Sequence, residues 1–130
     1  MKFKILMIMI AALLLNLASN QAMAAKDPKI IVAKFHADWC GSCKAMEDSL
    51  VDLSNKFDGK EVLFVTFDRT NNTTTHHSEL LASAMELGEI YDSHAGTGYV
   101  LLIDPKNGNV IEKLKGMSTK EMGNSIAAKL

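Results

Sequence analysis

The sequence predicts an α/β domain in which a central mixed sheet of about four strands is flanked by helices. Three observations carry this. Apolar, β-branched runs of strand length alternate with longer segments whose apolar residues recur at three- and four-residue steps. An Asp-Pro-Lys-Asn-Gly stretch at 104–108 joins the last two strand-like runs as a hairpin. A Ser118/Glu121 capping box then opens one more helix. The predicted order is β-α-β-α-β-β-α.

Each element has its own signal. Residues 29–36, Lys-Ile-Ile-Val-Ala-Lys-Phe-His, form a run apolar enough for a strand buried on both faces. From Cys40 to about Lys56, Met46, Leu50, Leu53 and Phe57 line one side of a helix. Gly59 follows as a helix stop. Residues 61–68 make a second strand. The polar run 69–77, with its Asn and Thr residues, reads as a loop. Residues 78–91 read as one helix with Leu80, Leu81, Ala84, Met85, Leu87 and Ile90 on its apolar side. A loop over 92–98 leads to strand 99–103, the turn and strand 109–114. Gly116 breaks that strand, and the last helix covers about 119–130. Both β-α-β units imply right-handed parallel crossovers, with the hairpin adding an antiparallel edge.

The chain has 130 residues, but the first 24 are set apart. Two lysines precede an apolar run over 5–18, and Ala22-Met23-Ala24 offers a small-x-small cleavage site. This is the layout of a secretory signal peptide. The run is shorter than the roughly 20 residues of a spanning helix. The expectation is therefore a leader over 1–24 and one domain over 25–130, with membrane contact only through the uncleaved leader. Without Lys2 and Lys4, 12 basic residues stand against 15 acidic ones, a net charge of −3. An acidic domain of this kind is not a general nucleic-acid binder, which needs a basic face.

Cys40 and Cys43 are the chain's two cysteines. A bridge between them closes a tiny loop and constrains the unfolded chain little. The pair is therefore there for reactivity or metal binding. Structural zinc needs a second ligand pair, and His76-His77, adjacent on the chain, diverge by about 100° on a helix. The pair sits at a strand-to-helix junction. Cys40, at the cap or first helical position, meets the unpaired N–H groups and the positive end of the helix, which favour thiolate. Cys43 lies one turn deeper on the same face and stays thiol. That asymmetry suits dithiol exchange, with Cys40 as nucleophile and Cys43 as resolving thiol. Gly41 and Ser42 are small enough to admit a partner's backbone.

Through Ala37-Asp38-Trp39-Cys40-Gly41-Ser42-Cys43-Lys44 and the element order around it, the chain resembles the thioredoxin superfamily. Its exported reductive branches, the C-terminal domain of DsbD and the cytochrome c maturation thioredoxins, are the nearest in pattern. The resemblance implies a thioredoxin-like fold without the extra N-terminal strand and helix. It also implies a thiol–disulfide oxidoreductase that needs no cofactor beyond the Cys40–Cys43 disulfide. Protein thiols and disulfides would be its partners and a membrane protein its electron donor, in the periplasm.

Three positions depart from the superfamily pattern. Gly98, after Thr97, stands where the family carries a cis-proline facing the cysteines; a cis bond before a non-proline residue costs about 2.5–4 kcal/mol, so a trans Gly98 with positive φ is expected. The loss opens the thiols to metal, and a copper or zinc carrier using the pair with His36 or His94 is the rival reading; each histidine is otherwise a satisfied, half-buried residue. Lys34 stands where many members bury an aspartate. Either its charge favours the thiolate, or its stem packs while its head reaches solvent. Ser42 replaces the usual proline between the cysteines. Trp39 is either a partner-contacting shield for Cys40 or a packed loop aromatic. A non-catalytic interaction module is a third reading, which the intact cysteine pair disfavours.

Overall fold

The computed structural model describes residues 27–130, so the leader expected over 1–24 lies outside the described residues. Strand β1 (Ile30–His36) is buried along its whole length because it has neighbours on both sides. It runs parallel to β2 (Val62–Asp68), from Ile30 opposite Val62 to His36 opposite Asp68. On its other side it is antiparallel to β3 (Tyr99–Ile103), with Phe35 opposite Tyr99. β3 in turn pairs antiparallel with β4 (Val110–Leu114), so the sheet order is β2-β1-β3-β4.

The period of two in β1 assigns its side chains to two cores. Ile30 and Val32 face helix α1 (Gly41–Lys56) and helix α4 (Thr119–Ala127), where they meet Met46, Leu53, Phe57, Met122 and Ile126. Ile31, Ala33 and Phe35 face the other way. There they pack with Ala82 of helix α2 (Asn72–Ala84) and Tyr91 of helix α3 (Gly88–Ser93). The mixed four-stranded sheet with helices on both faces is the predicted architecture.

Three expectations are corrected. The polar run expected to be a loop over 69–77 is helical from Asn72. Asn71 caps it, its side chain accepting from Thr73 N–H at 2.9 Å and Thr74 N–H at 3.1 Å. The Thr74 hydroxyl answers by accepting from Asn71 N–H at 3.1 Å, closing a capping box built from Asn and Thr. The single helix expected over 78–91 is also broken. α2 ends at Ala84, Glu86 takes a left-handed φ of 59°, and α3 begins at Gly88.

That break changes the topology. Met85, Glu86 and Leu87 lie by Ile31 and Pro105, at one end of the sheet. Arg69 donates to the carbonyls of Tyr91 and His94, at the other end. The chain thus descends along α2 and returns along α3, and β3 starts at the end where β2 finished. Only the β1-α1-β2 unit is a parallel crossover; the second expected parallel crossover is absent because the connection traverses the sheet twice. No described helix is long and apolar enough to cross a membrane.

Candidate active site

The site forms where β1 ends and α1 begins. Cys40 is the N-cap of α1, with extended backbone (φ −89°, ψ 112°). Its Sγ accepts from the Cys43 backbone N–H at 3.3 Å, one of the first-turn donors that a helix leaves unpaired. Cys40 and Cys43 are joined as a disulfide. Cys40 is 8% exposed and Cys43 is wholly buried, its Sγ 3.6 Å from the Phe35 carbonyl. Cys40 is therefore the less buried of the two, while the inner sulfur faces the sheet. Once the bridge is reduced, an inner thiol can donate to that carbonyl, while an outer thiolate is held by the helix N-terminus.

Around the sulfurs, Trp39 is 68% exposed on the surface next to Cys40. Its indole N–H donates to the Thr70 carbonyl at 3.1 Å, so the ring is tethered yet uncovered. Gly41 and Ser42 are exposed in the first turn of α1. The Ser42 hydroxyl lies 3.4 Å from Cys40 Sγ. Gly98, buried at the foot of β3, donates its N–H to the Phe35 carbonyl at 2.8 Å. Its φ is 85° and every described peptide bond is trans. Thr97, half-buried, precedes it in the loop. Trp39, Cys40, Ser42, Cys43 and Gly98 thus converge from two segments of the chain.

Lys34 and the two histidines are placed differently. Lys34 is 7% exposed on the α1 side of β1, and its side chain lines an open groove with Glu47, Val51, Phe64 and Thr66. His36, at the end of β1, pairs Nε2 with Asp38 Oδ1 at 3.0 Å, and its Nδ1 is buried with no hydrogen-bond partner among the described residues. His94 Nδ1 sits 2.9 Å from the Ile90 carbonyl. The metal-carrier reading required a histidine beside both sulfurs. Among the described residues, no group of three or more His, Cys, Asp or Glu is arranged to hold a metal ion.

Sequence reasoning missed the residues just after β2. Thr70 receives the Asp38 N–H on its hydroxyl at 3.0 Å and is itself held by Asp68, whose Oδ1 accepts from Thr70 N–H at 2.8 Å and from its hydroxyl. Burial raises the Asp68 pKa, but the Thr70 hydrogen bonds and the His36 charge outweigh it, and the net shift is downward. Arg69 lies over the rings of Phe35 and Tyr91, 5.3 and 4.2 Å from their centroids. Its donations to Tyr91 and His94 hold the segment that leads to Gly98. The adjacent Asp-Arg-Thr was visible in the sequence, but only the parallel pairing of β1 with β2 puts it beside the cysteines.

A cystine at the N-terminus of a helix, with one sulfur outward and one inward, on a mixed sheet, defines a thiol–disulfide centre. The thioredoxin family model matches residues 12–83, more than half of the chain, and the chain belongs to the thioredoxin family. Thioredoxin H4-1 of Oryza sativa subsp. japonica is 28% identical over 107 residues, covering 82% of this chain and 69% of the rice protein. Thioredoxin-1 of Schizosaccharomyces pombe is 30% identical over 102 residues, 78% of this chain and 82% of the yeast protein. Thioredoxin-1 of Drosophila melanogaster is 41% identical over 44 residues; the match spans 34% of this chain and 41% of the fly protein. Among solved structures, MTB dsbF in its mixed oxidised and reduced forms is similar with a TM-score of 0.56 at 18% identity, covering 80% of this chain and 83% of that one. The Fasciola hepatica thioredoxin matches with 0.52 at 16% identity, over 80% and 84% of the two chains. At such identities the structures speak for the fold. With its cystine in place, the chain is a thioredoxin-family thiol–disulfide oxidoreductase, and that family works through its own redox-active disulfide.

Proposed function

We propose that the protein is an exported reductant of protein disulfides, acting in a periplasm-like compartment and recharged by a membrane electron donor. The observation that carries this reading is the asymmetry of the cystine, with Cys40 8% exposed as the cap of the helix N-terminus and Cys43 wholly buried. In the reduced protein the Cys40 thiolate attacks one sulfur of a substrate disulfide. A Cys40–substrate disulfide forms and the other substrate sulfur leaves as thiolate. Cys43 then loses its proton and attacks Cys40 Sγ, releasing the second substrate sulfur. Two electrons have passed to the substrate, and the protein is left in the disulfide state of this structure. An external dithiol must reduce it before the next cycle. The leader-like residues 1–24 support export, and the resemblance to the exported reductive branches supports the direction of flow.

The test is insulin-disulfide reduction with dithiothreitol as the electron source. Cys40→Ser is expected to abolish turnover. Cys43→Ser is expected to keep the first attack and accumulate a mixed disulfide at Cys40, seen by mass spectrometry. Full turnover by Cys40→Ser overturns the assignment. A reduction potential near the roughly −270 mV of a reducing thioredoxin supports the direction, and one near about −120 mV makes the protein an oxidant. Cell fractionation with the leader intact and deleted tests export.

A further inference from the structure

We propose that Ser42 is a second hydrogen-bond donor to the Cys40 sulfur, seated there by the missing side chain of Gly98, and that this pair of residues tunes the reactivity of Cys40. The proposal rests on Cys40 being the nucleophile, as inferred above.

Two independent observations meet at one point. First, the Ser42 hydroxyl lies 3.4 Å from Cys40 Sγ. In the disulfide that sulfur carries no proton, so Ser42 is the donor. Second, a Cβ placed on Gly98 would collide with Ser42 Oγ and lie 3.2 Å from Cys40 Sγ. The hydroxyl thus occupies the volume that a side chain at position 98 would fill. Although Ser42 sits in the exposed first turn of α1, this opening lets its hydroxyl turn inward toward sulfur. The left-handed φ of 85° at Gly98 keeps the position open, since L side chains rarely adopt it.

In the disulfide the Cys40 sulfur already accepts the Cys43 N–H at 3.3 Å, and in the reduced protein both donors would face a thiolate. A hydrogen bond to a charged acceptor is about twice as strong as one between neutral groups. Ser42 therefore favours thiolate over thiol and stabilises the reduced protein relative to the disulfide. It makes the pair more reactive at neutral pH and its potential less negative than the helix N-terminus alone would.

The experiment measures the alkylation rate of the reduced full chain by iodoacetamide against pH, with the labelled residue mapped by peptide mass. A wrong choice of nucleophile then shows as labelling at Cys43, separately from any effect of Ser42. Ser42→Ala is expected to raise the pH midpoint of Cys40 alkylation by about one unit, the tenfold effect of one charge-assisted hydrogen bond. Well below the midpoint the rate falls only about threefold, because a more basic thiolate is intrinsically more nucleophilic. The reduction potential shifts negative by up to about 30 mV, the two-electron equivalent of tenfold. Gly98→Ala, by displacing Ser42, is expected to move the midpoint in the same direction, and the double variant no further than the larger single effect. Gly96→Ala carries a similar left-handed strain, at φ 90° with nothing within 4 Å of the added Cβ, and is expected to leave the midpoint unchanged. A wild-type midpoint and potential in Ser42→Ala overturn the proposal, as does full additivity of the two substitutions. The Ser42→Ala result decides the matter even if Gly98→Ala fails to fold.

Discussion

Thr70 shows how much of the site depends on a residue with no chemistry of its own. It is bonded to Asp68 below it and to both Asp38 and Trp39 above it, which makes it the link between the two strand ends flanking Cys40. Thr70→Val removes the hydroxyl but keeps the carbonyl that holds the indole. We expect it to cost about 1 kcal/mol, the net worth of an ordinary hydrogen bond. It should also lower the fluorescence anisotropy of Trp39, the chain's one tryptophan, and Thr70→Ser should restore it. Unchanged anisotropy in Thr70→Val would show that the hydroxyl bonds to Asp38 and Asp68 are not needed to position the carbonyl under the indole. Asp68 adds a pH dependence. Its carboxyl titrates below the ordinary value in the folded protein, so the group stabilises the fold above the unfolded pKa of about 3.9 and this is lost as pH falls through the lower folded value. Glu121 acts in the same sense through its Ser118 cap. Urea titrations at pH 7 and pH 3 should show a smaller loss for Asp68→Asn than for the wild type. The cysteines, Trp39, Gly41, Ser42 and Gly98 were legible as single residues, because each carries a chemical or conformational peculiarity in its own letter. Thr70 and Arg69 were not, because their roles arise from neighbours more than 20 residues away in sequence.

At the scale of elements, the strands and α1 followed their patterns closely because burial on both faces or on one stripe leaves a strong periodic trace. The start of α2 did not, since its first turn is polar throughout and is organised by a cap. Asn71→Ala should therefore cost about 0.5–2 kcal/mol of stability in urea unfolding. No loss would mean that tertiary contacts alone hold the turn. In the opposite layer, Leu53 is 1% exposed in the core between α1 and the sheet. Leu53→Ala should cost about 2–5 kcal/mol by the same measurement, from lost burial and the cavity left behind. The break at Glu86 had only one weak local signal, the glycine at 88. A non-glycine residue in the left-handed region is uncommon, and Gly88, which weakens helix propensity over 78–91, stands two residues beyond the break. Packing of Leu87 and Tyr91 against Phe67 and Ile31 outweighs that local cost.

For the whole molecule, the Cys40–Cys43 bridge spans a loop too short to hold the fold together, and both cores lie largely away from it. The reduced protein should remain folded. Redox state and stability are nevertheless linked, because a fold that favours its disulfide makes the pair a reductant, whereas an oxidant is stabilised in its reduced form. Reduction by dithiothreitol is therefore expected to lower the thermal midpoint measured by calorimetry, and a rise would contradict the proposed direction of electron flow. The sequence by itself determined the layered α/β architecture, the hairpin and the reactive pair, because period, turn chemistry and the Cys-x-x-Cys junction are local properties. Tertiary structure alone decided the direction of β3, the Thr70 and Arg69 braces, and the fit of Ser42 over Gly98. Each of these depends on which segments the sheet brings within a few ångströms, a distance that no spacing along the chain encodes.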